Sequence, residues 1–301
     1  TGRVSNAAPN ENPMSKQRIM ARDRALATQD SLDYNEAVAK AFLLLRKDSL
    51  SQAQHELERA LRLRPKAETN AVLRLNLAKI YYWRKQWHDA DRTLREVRED
   101  FARQLAQKGN VKTSLEVGTN GNLQSLLNET RTWHCNTLYQ LGKYQLAADS
   151  IQFFLQQKPE LSPHEEMDVC TLLGDCYFAL KNYDASVAAY KRTLKIEANA
   201  FEALLPMAQA LQALHREEEA LMWLNSALQY ENYEEPLVAR AKLHRAMANE
   251  EAALADWEVL VKENPQNLQY QVARAEMLLA VGKKKKAKDA VKKLLHAGFP
   301  H

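Results

Sequence analysis

The eight histidines of this 301-residue chain (His55, His88, His134, His164, His215, His244, His296 and His301) would be the first candidates for metal or acid–base chemistry. A zinc site needs imidazoles or thiolates spaced so that they converge from one helix face or one knuckle. No two of these histidines fall at such a spacing. His134 and Cys135 are adjacent, but neighbours on a helix point to different sides, so they do not form a nucleophile and base. Glu165-Glu166 and Glu217-Glu218-Glu219 stand at expected helix starts, where carboxylates complement the helix dipole. A phosphate-cradling loop would follow a strand and end in Gly-Lys-Ser/Thr. The glycine-bearing run Gly118-Thr119-Asn120-Gly121-Asn122 has neither feature. No catalytic residue, cofactor or metal is expected, and the chain does not read as an enzyme.

The strongest local charge feature is Lys283-Lys284-Lys285-Lys286, followed by Lys288, Lys292 and Lys293. Such a run can contact phosphate, acidic peptide or nucleic acid. It can equally be a solvated end that keeps the chain soluble. No aromatic residues interleave with these lysines, which argues against nucleic acid. The net charge of +4 on the whole chain adds no argument for nucleic acid or a membrane surface.

The elements that must position any site are set by an internal repeat. In Met167–Ala200, Leu173-Gly174 is followed by Tyr177, Tyr183, Ser186, Tyr190 and Thr193. A slide of 34 residues places Met207-Ala208, Leu211, Ala220, Leu224 and Ala227 on the matching positions. Seven copies follow, at about 34–67, 71–104, 128–161, 167–200, 201–234, 234–267 and 268–301. Each holds two apolar stretches of helical period separated by a short polar break. Small residues recur in the first helix (Ala41, Ala78, Gly174, Ala208, Ala241, Ala275) and early in the second (Ala53, Ala90, Ala147, Ala220, Ala253, Ala287), which lets the two helices approach closely. Pro65, Pro159 and Pro265 come where the second helix must stop.

Over residues 34–301 this pattern resembles the tetratricopeptide repeat family. The resemblance implies an all-α fold, a right-handed α-solenoid superhelix of helical hairpins, whose first helices line a concave face. It also implies a non-catalytic scaffold or adaptor that takes a peptide, tail or helix of another protein in that groove and supports complex assembly. The alternative is a self-association or recruiting module of a larger assembly or enzyme, so that a homo-oligomer is a second candidate partner state.

Carried onto this chain, the groove-facing pairs are Phe42 and Leu45, Lys79 and Tyr82, Asn136 and Tyr139, Asp175 and Phe178, Gln209 and Gln212, Lys242 and Arg245, and Glu276 and Leu279. Tyr82, Tyr139 and Phe178 form an aromatic line, with Asn136, Asp175 and Gln209 as a polar line beside it. Aromatic side chains bury much area at low entropic cost, and amides both donate and accept. One subfamily grips a C-terminal carboxylate with Lys and Asn from successive repeats. Asn76 could serve as its middle Asn, but Val38 and Phe42 stand before it and Glu129 and Trp133 after it, so that function is disfavoured.

The remainder of the chain bounds these expectations. The three cysteines (Cys135, Cys170, Cys176) lie in expected helices and read as small core residues in a reducing compartment. No run of 18 apolar residues is present. Residues 1–13 are expected to be a flexible arm and 14–33 a capping helix. Because the chain begins at Thr1, the expected cytoplasmic location has an exported or periplasmic one as its alternative. Residues 105–127 interrupt the period, with a helix extension to Lys108, then a loop, then a helix start near Asn122. Solenoid ends need polar caps. The last copy ends at His301 without a further helix, so either the chain is part of a longer one or the lysine-rich hairpin caps itself.

Overall fold

The computed structural model describes residues 13–110, 122–229 and 234–296. The arm expected at 1–13 lies outside them except for Pro13, as do Gly118, Gly121 and the middle of the 105–127 interruption. The described residues form fourteen α-helices and no strand.

Contacts divide the chain into two compact units, Thr1–Leu141 and Gly142–His301, where the repeat pattern alone gives one continuous array. The first unit holds α1 (Pro13–Arg46), α2 (Leu50–Leu63), α3 (Asn70–Trp83), α4 (Trp87–Lys108) and α5 (Leu123–Gln140). In the second are α6 (Tyr144–Gln156), α7 (Pro163–Ala179), α8 (Tyr183–Ile196), α9 (Phe201–Ala213) and α10 (Glu217–Ala227). The second unit continues with α11 (Glu234–Ala246), α12 (Glu250–Glu263), α13 (Leu268–Ala280) and α14 (Lys284–His296). Repeat copies one and two are the pairs α1–α2 and α3–α4. Copies four to seven are α7–α8 through α13–α14, and the third copy supplies α5 to the first unit and α6 to the second.

The expected capping helix is not a separate element. It is continuous with the first repeat helix, because no glycine or proline occurs between Met14 and Arg46 to break it. Described side chains from Met20 to Asp30 are exposed, and burial begins at Tyr34. Across the interruption, α4 runs to Lys108 and ends at Gly109 (φ 69°), whose N–H bonds to Leu105 O. Helix α5 starts behind Asn122, whose side chain accepts from the Ser125 N–H at 2.9 Å.

The hairpins turn by one device. A left-handed residue follows the first helix of each copy at Asp48, Lys85, Gly142, Lys181, His215, Ala248 and Gly282. At six of these turns the following N–H reaches five residues back to a first-helix carbonyl, as in Asn182 to Tyr177 (2.8 Å) and Asn249 to His244 (2.8 Å). This closes otherwise unsatisfied C-terminal carbonyls. Starts are fixed too: Ser162 and Glu165 make a reciprocal capping box with Pro163 at the first helical position.

The recurring small residues are buried, with Ala41, Ala78 and Ala241 at 0% exposure. Gly174 is the tightest of them. A Cβ built there would lie 2.4 Å from the Tyr190 ring, and its carbonyl accepts from the Ser186 hydroxyl at 2.9 Å. The polar link between α4 and α5 is buried: His134 Nε2 lies 2.9 Å from Asp91 Oδ1. Burial lowers the His134 pKa, against the opposing effect of the hydrogen bond that Asp91 accepts. All three cysteines are buried and outside any disulfide, and burial pushes the Cys135 thiol up to about 12.

Candidate partner-binding site

In the second unit, α9 and α11 present the same face. Leu205, Ala208, Gln209 and Gln212 stand at i, i+3, i+4 and i+7 of α9, and Glu235, Val238, Ala239 and Lys242 repeat that spacing on α11. Such positions share one helix face. With Tyr270 from α13 they line a cavity of about 580 Å³. The apolar members make its floor, while the Gln209 amide and the Lys242 ammonium are exposed and uncommitted among the described residues. The Tyr270 hydroxyl donates to Glu234 Oε1 at 2.6 Å. Burial and that carboxylate push the Tyr270 pKa up to about 12, so it remains a neutral donor.

Gln209, Gln212 and Lys242 therefore line one cavity. The sequence reading missed Leu205, Val238, Ala239 and Tyr270, although the i, i+3, i+4, i+7 spacing on each helix was visible. Arg245 is on α11 outside this lining, and it pairs with Glu276 at 2.7 Å in an exposed ion pair. Asp175 is engaged inside its own hairpin: Tyr190 donates to its Oδ1 at 2.6 Å, and burial raises its carboxyl pKa against that hydrogen bond. Phe178 packs edge-on against Tyr183 at 5.5 Å, within the same hairpin.

In the first unit, Tyr82 lies edge-to-face with Trp87 (5.0 Å) and Trp133 (5.1 Å), and Trp83 with Trp133 (5.8 Å). Tyr82 is half-buried in this cluster, and burial raises its pKa. Lys79 pairs with Glu129 and sits 5.9 Å from the Trp133 ring centre. The two asparagines bond back along their own helices, Asn76 to Val72 O (2.9 Å) and Asn136 to Thr132 O (3.1 Å). That anchors each amide nitrogen and corrects the expectation of amides open in both directions. Tyr139 is half-buried on α5. Phe42, expected to face the groove, is instead a core residue at 6% exposure, packed where α1 meets the neighbouring helices of its unit.

Lys283 occupies the turn before α14, and Lys284, Lys285 and Lys286 are its exposed first turn. Among the described residues, no group of three or more His, Cys, Asp or Glu side chains could hold a metal ion, and no helix is long and apolar enough to cross a membrane.

Residues 73–103 and 172–200 match the tetratricopeptide repeat family model. Together with the all-α fold, these matches identify tetratricopeptide repeats in the chain. Among solved structures it is similar to the C-terminal part of a tetratricopeptide repeat-containing protein from Cytophaga hutchinsonii (15% identity, 86% of this chain and 94% of that one, TM-score 0.65). It is also similar to a tetratricopeptide repeat protein from Parabacteroides merdae (20% identity, 89% and 94%, TM-score 0.56). A third is Pseudomonas aeruginosa PilF (18% identity, 82% and 99%, TM-score 0.55). No curated protein sequence matches the chain.

Proposed function

We propose that the protein is a non-catalytic interaction scaffold that binds a segment of another protein against α9, α11 and α13. The observation that carries this reading is the repeated face, 205/208/209/212 and 235/238/239/242, closed by Tyr270 around a cavity of about 580 Å³. An apolar floor supplies burial energy, while Gln209, Gln212 and Lys242 supply oriented hydrogen bonds. The identity to PilF is too low for its pathway to be carried over, and the proposal names none.

The test is a selection of displayed random peptides on the full chain. A selected peptide should lose at least about tenfold in affinity against Ala239→Trp, which fills the cavity, while the variant keeps its far-UV circular dichroism. Substituting Lys283–Lys286 by Ser should leave that affinity unchanged. Peptides whose binding survives Ala239→Trp in a folded variant would remove this reading.

A further inference from the structure

A second cavity, of about 380 Å³, lies within the first unit and is independent of the groove just described. Its wall is Leu45 from the end of α1, Asp48 and Leu50 from the α1–α2 turn and the start of α2, and Asn76, Lys79 and Trp83 at i, i+3 and i+7 of α3. The donors and acceptors of this wall are unequal. Lys79 is its one cation, and that ammonium is already held by Glu129 and the Trp133 ring. Asn76 has its amide nitrogen anchored on Val72 O, so its carbonyl oxygen is the atom left to accept. The Asp48 carboxylate is exposed and makes no side-chain hydrogen bond or ion pair among the described residues. Trp83 is pinned edge-to-face by Trp133, yet 48% of it is exposed.

The wall thus offers two acceptors, one of them charged, an immobilised indole and two leucine side chains. An anion would meet no uncommitted cation there. A planar cation on an aliphatic stem meets the two acceptors, the indole and the leucines, while the Lys79 charge in the wall is offset by Glu129. We propose that this cavity receives an arginine side chain of a partner segment. The guanidinium stacks on Trp83 and donates to Asp48 and Asn76 Oδ1, and its methylenes lie along Leu45 and Leu50. Arginine suits the site better than lysine because its flat fork can stack and donate at once. The proposal does not depend on the second unit's groove, and either can fail alone.

The probes are Nα-acetylarginine amide, Nα-acetylcitrulline amide (its neutral near-isostere) and Nα-acetylglutamate amide. Each is titrated into the full chain while the indole N–H resonance of Trp83, assigned by Trp83→Phe, is followed by NMR. The arginine amide should shift this resonance saturably, with citrulline at least about fivefold weaker. Asp48→Asn should weaken the arginine amide by a similar factor. Asn tolerates the left-handed backbone at this position (φ 54°), so the variant keeps the turn. Four results would each overturn the proposal: equal affinity for citrulline, no effect of Asp48→Asn, tighter binding of the glutamate amide, or no saturable shift up to about 50 mM arginine amide.

Discussion

Gly174 and Tyr190 are the contact on which the fourth hairpin closes. The ring occupies the space where any side chain on residue 174 would begin, and the hydroxyl ends on Asp175. Gly174→Ala should therefore cost about 1–3 kcal/mol in chemical denaturation, as expected when a packed interface is overfilled. The penalty should shrink markedly in a Tyr190→Ala background, since residues in contact do not contribute additively. Purely additive effects of the two substitutions would contradict the contact. Only Gly174 of this pair was legible in the sequence as a close-approach position. The partner that demands it was not, because which ring lies over a glycine depends on how two helices are rotated against each other.

At the scale of the elements, the hairpin turns repeat one left-handed residue, filled by glycine at Gly142 and Gly282 and by larger residues elsewhere. Ala248 (φ 56°) bears the steric cost of that conformation with no polar side chain to bond locally. Ala248→Gly should stabilise the protein by about 1 kcal/mol, net of the extra freedom glycine has when unfolded. That corresponds to roughly 2–4 °C in Tm for a unit of this size. An unchanged or lower melting temperature would mean that the turn does not hold this geometry. The sequence marked these breaks by their polar residues. It did not reveal that each needs a positive φ, because Lys85, Lys181 and Ala248 are not residue types that advertise one, and Asp48 and His215 are common in other conformations too.

For the whole molecule, each unit draws on its own core. The second unit packs one cluster around Tyr190, Met207 and Leu224 and another around Trp257, Leu260 and Leu278. The first unit packs around Leu57, Leu73 and Leu94. In a repeat array, stability is approximately the sum of local and nearest-neighbour terms, so a contiguous block with its own core can fold alone. A fragment spanning 142–301 should give helical far-UV circular dichroism and a cooperative thermal transition. A fragment without either would mean that its clusters need residues outside the unit. The interaction role belongs to this scale too, since a cavity walled by three successive first helices exists only when the repeats are stacked.

The sequence alone determined that the chain is helical, that it carries a tetratricopeptide pattern, and where small residues and prolines must fall. These properties follow from local period, side-chain size and backbone sterics, which each segment carries within itself. Gln209 and Lys242 were also legible, because an exposed position next to the small residue of a first helix repeats with the period. Tertiary structure alone decided which candidates are committed elsewhere. Asp175 is bound by Tyr190, Lys79 by Glu129, Arg245 by Glu276, and Phe42 lies in the core. Those pairings join residues 15 to 50 positions apart or set a side chain's rotation into the core, and only packed helices fix such distances and angles.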